Sequence, residues 1–228
     1  NRQMNQTLEA MAQALYRHWF VDFGPFQDQP FIDSELGPIP EGWEVGEFSD
    51  VLEINYGTTL PRKEMIEDAP TPVYGAGDII GRYDTINAPD KVALVTCRGS
   101  GSGTVWRTRE PSFVTNNSLM LTPKEAYDYW EYFFVMIHVN NSRPSRALSG
   151  SAQPQITIKG LGPLSILIPS PEAVKQYCNI VEPFFELADQ LYHENKTLAE
   201  TRDYLLPKLI SGAIEVKAAE ERVESAAA

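Results

Sequence analysis

Apolar positions in the last quarter of the chain recur at alternating spacings of three and four. Val181, Phe184, Ala188, Leu191, Asn195, Leu198, Arg202, Leu205 and Leu209 fall on one line of a 3.5-residue repeat, the a/d pattern of a coiled-coil seam. Ser170 is placed to cap such a helix, Pro171 suits its first turn and Gly212 its stop, so the pattern predicts a long helix within residues 169–212. Pro183 and Pro207 are expected to kink or end it, because proline lacks the amide proton and crowds the carbonyl four residues back. Two seam positions are polar, Asn195 and Arg202; a buried asparagine at such a position fixes register at some cost in stability.

The first residues echo this phrase. Shifted by 190, Asn5, Leu8, Ala12, Leu15 and Trp19 occupy the register of Asn195, Leu198, Arg202, Leu205 and Leu209, with identities at Asn5/Asn195, Thr7/Thr197, Leu8/Leu198 and Leu15/Leu205. A repeated helix pairs with its copy. Leu8, Leu15, Val181, Phe184, Leu191, Asn195, Leu198 and Leu205 are therefore the expected pairing residues, with residues 1–23 as the end of a first helix. Because the phrase starts mid-helix, the chain reads as part of a longer periodic molecule.

Between the helices the period changes to that of strands. "VLEINYG", "VALVTCRG", "TVWRT", "SFVTNNSLMLTP" and "LSILIPS" are short β-rich runs separated by Gly, Pro, Asn and Asp, with one helical stretch at "PKEAYDYWEYFFVMIHVNN". The proline-spaced, acidic "GPFQDQPFIDSELGPIPEGW" reads as a linker into the first strand. The expected fold is α+β: a mixed domain with a twisted sheet over residues 24–168, a long coiled-coil-forming helix over 169–212 and a tail over 213–228.

At 228 residues and 43% hydrophobic content the chain can bury a real core. Cys97 and Cys178 are far apart and lack metal-ligand spacing, which suits two buried thiols in a reducing compartment. No apolar run reaches the roughly 18 residues of a membrane span and no signal peptide opens the chain, so a soluble, cytoplasmic protein is expected. The net charge of −12 argues against nucleic acid until it is divided. Residues 22–68 hold twelve acids against two bases, whereas residues 91–160 hold eight bases against four acids. The second zone is basic inside an acidic protein.

Two stretches of that zone carry residue types that contact DNA. "RGSGSGTVWR" has glycines without a following helix, so it fails as a dinucleotide loop and reads as a hairpin turn. Its Arg98, Ser100, Ser102, Thr104 and Arg107, with Arg109 beyond it, can approach a phosphate backbone. "NNSRPSRALSGSAQPQITIKGL" offers Arg143, Arg146, Gln153, Gln155 and Lys159, types that pair with phosphates and base edges. Asn116 and Asn117 interrupt a strand-like run where they turn the chain or reach a base, and Asn117 is kept as the candidate DNA contact. Catalytic signals are missing: His18, His138 and His193 are isolated, and there is no serine elbow, Walker lysine, metal-spaced His/Glu motif or Asn-Pro-Pro-Tyr-like tetrapeptide. No catalytic residue and no metal site is expected.

"LGPIPEGWEVGEFSDVLEINYGTT", "GSAQPQITIKGLGPLSILIPSPEAVKQ", "RDYLLPKLISGAI" and "MAQALYRHWFVDFGPF", in their order here, resemble the specificity (S) subunit of type I restriction-modification systems. The resemblance implies a target recognition domain over residues 24–168 and a spacer helix after it. It also implies double-stranded DNA as ligand, one half of a bipartite site as target, and DNA methyltransferase (modification) and restriction/translocase subunits as partners. S-adenosylmethionine, ATP and Mg would sit on those partners, and this chain would need no cofactor. Family members resemble a tandem of two recognition domains, whereas this chain has one; a homodimer through the helices would supply the second. A recognition module of a single-chain restriction-methylation enzyme and a helix-mediated protein scaffold with no DNA role are the alternatives.

Overall fold

A computed structural model describes residues 1–99, 101–127, 129–140, 148–149 (backbone only) and 155–214. Compactness divides the chain into two units, one of residues 10–184 and one of residues 1–9 with 185–228.

The first helix, α1, spans Arg2–Phe20. Beyond it the acidic stretch read as a linker is ordered: a single 3-10 turn at Gly24–Phe26 precedes β1 (Phe31–Ile32) and β2 (Ile39–Pro40), which pair antiparallel. Phe26, Ile39 and Trp43 are buried, and that burial holds a segment whose prolines suggested a spacer. Trp43 meets Phe20, Phe23 and Phe26 with ring centroids 4.9–5.8 Å apart.

Then follow β3 (Glu44–Glu47), the single turn α2 (Phe48–Val51), β4 (Leu52–Tyr56), β5 (Thr71–Tyr74), β6 (Ile79–Tyr83), β7 (Ala93–Thr96), β8 (Val105–Arg107), β9 (Phe113–Val114) and β10 (Ser118–Pro123). Helix α3 (Trp130–Val139), β11 (Leu148–Ser149), β12 (Gln155–Ile156), the short α4 (Ile158–Leu161) and β13 (Ser165–Ile168) lead to α5 (Pro171–Ile210). Among the described residues the main sheet has the order β4-β10-β7-β8, and a second has the order β6-β5-β9 with β5 and β9 parallel. β13 pairs with β3, and β11 with β12.

All four residues of β7 are buried, which requires cover on both faces of a pleated strand. One face carries Leu94, in a cluster with Tyr74, Ala88, Val92 and Val114, so the second sheet packs there. Helix α3 packs across β10, β7 and β8. Below the sheets, Tyr16 and Phe20 of α1, Tyr132 of α3 and Tyr177 of α5 form an aromatic hub, with Phe20 5.0 Å from Tyr132 and 5.3 Å from Tyr177. The Tyr177 hydroxyl donates to the Ala12 carbonyl at 3.0 Å. Each such side chain contributes about 1.5–3 kcal/mol by leaving water.

Helix α5 begins and ends where expected: Ser170 Oγ accepts from the Ala173 N–H at 3.4 Å, and Gly212 adopts φ +71. It continues through Pro183 and Pro207, so neither proline ends it. Both prolines face solvent, as do Asn179 and Asp203 four residues before them. The carbonyls that lose an amide partner can therefore turn to water, while Val181, Phe185 and Ala188 stay buried on the opposite side.

The buried face drifts from the heptad line. In the larger unit α1 buries Ala12, Tyr16 and Phe20, with Leu15 half-buried, and α5 buries Tyr177, Cys178 and Val181, with Phe184 half-buried. In the smaller unit Leu8, Phe185 and Ala188 are buried; Leu191, Tyr192, Asn195, Ala199 and Leu205 are half-buried; and Leu198 is 56% exposed. An undistorted helix turns every 3.6 residues, so a 3.5-residue line slides off its buried stripe within a few turns. Inside the smaller unit Asn1 donates to Glu194 at 2.7 Å, which sets the start of α1 beside the second half of α5.

A candidate nucleic-acid interface

Register places four chain segments at one end of the main sheet. β4 ends at Tyr56 opposite Leu119, β10 starts at Ser118 opposite Thr96, and β8 starts at Val105 opposite Val95. Residues 57–60, 115–117, 97–99 and 101–104 therefore emerge together. The second sheet adds residues 75–78, since β5 ends at Tyr74 beside Val114.

Hydrogen bonds tie these loops into one surface. The Asn116 amide donates to Thr59 Oγ1 at 2.9 Å, and the Asn87 amide donates to Thr58 Oγ1 at 3.2 Å while its oxygen accepts from the Val114 N–H at 2.7 Å. The Cys97 N–H donates to the Asn117 carbonyl at 2.8 Å, and the Ile156 N–H donates to the Cys97 carbonyl at 3.0 Å, which joins β12 and the Arg98–Gln155 bridge to the cluster. Ser118 Oγ donates to the Gly75 carbonyl at 3.0 Å. Gly57 allows the closest approach: a Cβ there would stand 2.2 Å from the Thr115 oxygen. Gly77 likewise lies against the Trp106 ring, whose N–H donates to Thr96 Oγ1 at 3.2 Å.

The basic hairpin is a turn, as its glycines imply, with Gly99 and Gly103 at φ +83 and +95 and Ser102 donating to the Gly99 carbonyl at 2.8 Å. Arg98, Thr58 and Thr59 are exposed on this surface, and Asn116, Asn117, Ser102, Thr104 and Gln155 are half-buried in it. Amide, hydroxyl and guanidinium groups on a backbone-braced rim are the donors and acceptors that meet phosphates and base edges. Burial pushes the Cys97 thiol up beneath the rim, so it stays protonated and unreactive. Cys178 is pushed up to about 12, first by burial and then by Glu131.

Not every expected contact residue lies here. Arg107 pairs with Ala93, at the far end of β8, and is 5% exposed; its guanidinium stacks 5.5 Å from the Trp130 ring and 5.9 Å from Phe134. Lys91 sits 5.6 Å from the same Trp130 ring, and Arg109 is half-buried two residues beyond Arg107. The zone that looked uniformly basic is split by a strand's length, because Arg98 and Arg107 flank opposite ends of β8. Arg107 of β8 packs against α3, and its burial there, at the end of the strand opposite the rim, corrects the expectation that it contacts DNA. Lys159 is exposed on α4, three residues beyond Ile156. Ser100, Arg143, Arg146 and Gln153 lie outside the described residues. Thr58, Thr59 and Asn87 were absent from the expected contacts; "NYGTT" and "INAP" carry no charge to draw attention, and only the fold brings them beside Asn116 and Asn117.

Residues 40–200 match the sequence pattern of the type I restriction modification DNA specificity domain. The chain belongs to that family. It is similar to the type I restriction enzyme MjaIX specificity subunit of Methanocaldococcus jannaschii, with 26% identity over 95% of this chain and 55% of that protein. It is also similar to the type I restriction enzyme HindI specificity subunit of Haemophilus influenzae, with 25% identity over 94% of this chain and 63% of that protein. The chain thus spans between half and two-thirds of the length of these curated relatives. Its fold is that of the type I restriction-modification S subunit from M. genitalium, with a TM-score of 0.62, 21% identity and coverage of 92% of this chain and 54% of that one. Among the described residues, no helix is long and apolar enough to cross a membrane.

Proposed function

We propose that this chain reads DNA sequence for a type I restriction-modification enzyme, with the rim at the Tyr56–Ser118 end of the main sheet against the duplex. The observation that carries this is the convergence of Arg98, Thr58, Thr59, Asn116, Asn117, Ser102, Thr104 and Gln155 on one braced surface. Arg98 supplies a phosphate or guanine contact, and the two asparagines and Gln155 supply amides suited to adenine edges. One such rim reads one half of a bipartite site. Modification and restriction subunits dock on the same molecule, carry S-adenosylmethionine, ATP and Mg, and add the basic surface that a chain of charge −12 lacks.

The test is fluorescence anisotropy of duplexes carrying the methylated motif, titrated at several salt concentrations with the chain co-purified with its modification subunit. Arg98→Ala reduces affinity and lowers the salt slope by about one, whereas Arg109→Ala leaves both unchanged. A flat salt response, or equal loss from both variants, refutes the assignment.

A second copy of this chain pairs along α5 and adds a second reader. Leu198, Leu206, Leu209 and Ile210 are exposed by 40–79% and fall within one arc of the helix, an apolar stripe that a partner helix would cover. Two identical readers related by a two-fold axis require an inverted, symmetric site. Leu198→Asp places a charge in that seam and converts a dimer to a monomer in sedimentation; unchanged mass refutes the pairing.

A further inference from the structure

A cavity of about 230 Å³ opens in the larger unit at the opposite end of the main sheet from the DNA rim. Val51, just before β4, and Ala126, just after β10, line it, so the length of both strands separates it from Thr58 and Asn116. Four aromatic side chains line it, Tyr127, Tyr129, Tyr132 and Phe133, and aliphatic and proline residues such as Val51, Ile168 and Pro169 supply much of the remaining wall. Tyr127 meets Phe133 edge-on at 6.4 Å and 83°, and Phe133 meets Tyr132 at 5.1 Å and 78°. The Tyr132 hydroxyl donates to the Leu167 carbonyl at 3.3 Å, and the half-buried Tyr127 and Tyr129 line the cavity as well. Glu44, an exposed carboxylate, completes the lining.

The volume falls below the roughly 300–1,000 Å³ of cofactor and drug-sized sites, so one side chain is a better match than a small-molecule ligand. Aromatic side chains that share a cavity with a carboxylate suit a cation. The N-terminus of α5 also borders the cavity, but its positive end is already answered: Ser170 caps the Ala173 N–H, Pro171 has no N–H, and Glu172 lies in the first turn. Glu44 belongs to an acidic stretch of sequence, with Glu41, Glu47 and Asp50 among the twelve acids against two bases of residues 22–68, and the nearby Lys124 ammonium donates to the Ser49 carbonyl at 2.7 Å.

We propose that this cavity receives an arginine or lysine side chain from a basic loop of a protein partner. Phosphates would be repelled by the same carboxylates, so nucleic acid is not its occupant. A guanidinium between Tyr127 and Tyr129 with Glu44 at its edge makes cation–π and charge-assisted contacts at once.

The test uses the full chain with isotope-labelled tyrosine rings, observed by NMR during titration with N-acetyl-arginine methylamide and, separately, its leucine counterpart. The Tyr127 and Tyr129 rings shift saturably with the arginine probe and bind it at least about fivefold tighter than the leucine probe; Glu44→Gln removes about fivefold of that affinity. Equal binding of both probes, indifference to Glu44→Gln, or no saturation within probe solubility overturns the proposal. In a second arm, the co-purified modification subunit blocks the probe; a cavity left open in that complex, or one blocked by duplex DNA, also overturns it. The second arm rests on the specificity-subunit reading and the first does not, so their failures are distinguishable.

Discussion

Gly57→Ala isolates the contact on which the rim depends. Gly57 does not need its conformational freedom, since its φ is not in the left-handed region; it needs the missing side chain. A Cβ would lie 2.2 Å from the Thr115 oxygen and 2.5 Å from the Val114 oxygen, and ordinary contact begins at 3.4 Å. The segments must therefore part by about 1.2 Å, the difference between the first and last of those distances. That separation breaks the bond from the Thr58 N–H to the Val114 carbonyl, now 3.0 Å, and loosens Asn116 from Thr59. Overpacking costs about 1–3 kcal/mol, each lost hydrogen bond about 1, and the stiffer unfolded chain returns about 0.5–1. The net is a loss of roughly 2–4 kcal/mol. Gly37→Ala is the control: with φ +98 and no atom within 4 Å of the new methyl group, it pays backbone strain alone, about 1–2 kcal/mol. Urea titration by circular dichroism gives the midpoints, and anisotropy gives DNA affinity. Gly57→Ala lowers the midpoint further than Gly37→Ala and alone weakens DNA binding; a midpoint at or above the control's refutes the close-approach argument.

Three further outcomes follow from the buried core. Glu131 is buried on α3, and burial, reinforced by Glu182 and opposed by Lys91, holds its carboxyl above the ordinary value of 4.5. Its neutral form favours the folded state, so this stability is full below about 4.5 and is lost as pH rises through the raised value. Glu131→Gln should flatten the Tm-versus-pH curve over that window, and parallel curves for the two proteins would contradict the assignment. Phe20→Ala removes the ring that joins Tyr132, Tyr177 and Trp43, with an expected loss of about 3–5 kcal/mol in chemical denaturation; a loss under about 1 kcal/mol would mean the hub is not a core. Pro183→Ala restores the amide that can reach the exposed Asn179 carbonyl and should raise Tm, and a lowered Tm would show that the proline is required by its surroundings.

The sequence alone determined the elements whose signal is local: the cap at Ser170, the stop at Gly212, the turn through Gly99–Gly103 and the helix ending near Asn140 all rest on a few neighbouring residues. It also determined the family, because a long ordered string of motifs survives without contacts. Tertiary structure decided which of these residues share a surface. Arg98 and Arg107 look like one basic pair in the string, yet three residues of β8 send them to opposite ends of the sheet. The uncharged Thr58 and Asn116 become neighbours only because β4 and β10 pair in one register. Burial overruled local cues in the same way, ordering the proline-rich segment around Trp43 and carrying α5 through Pro183. Packing free energy belongs to residues distant along the chain, and periodicity and propensity cannot report on it.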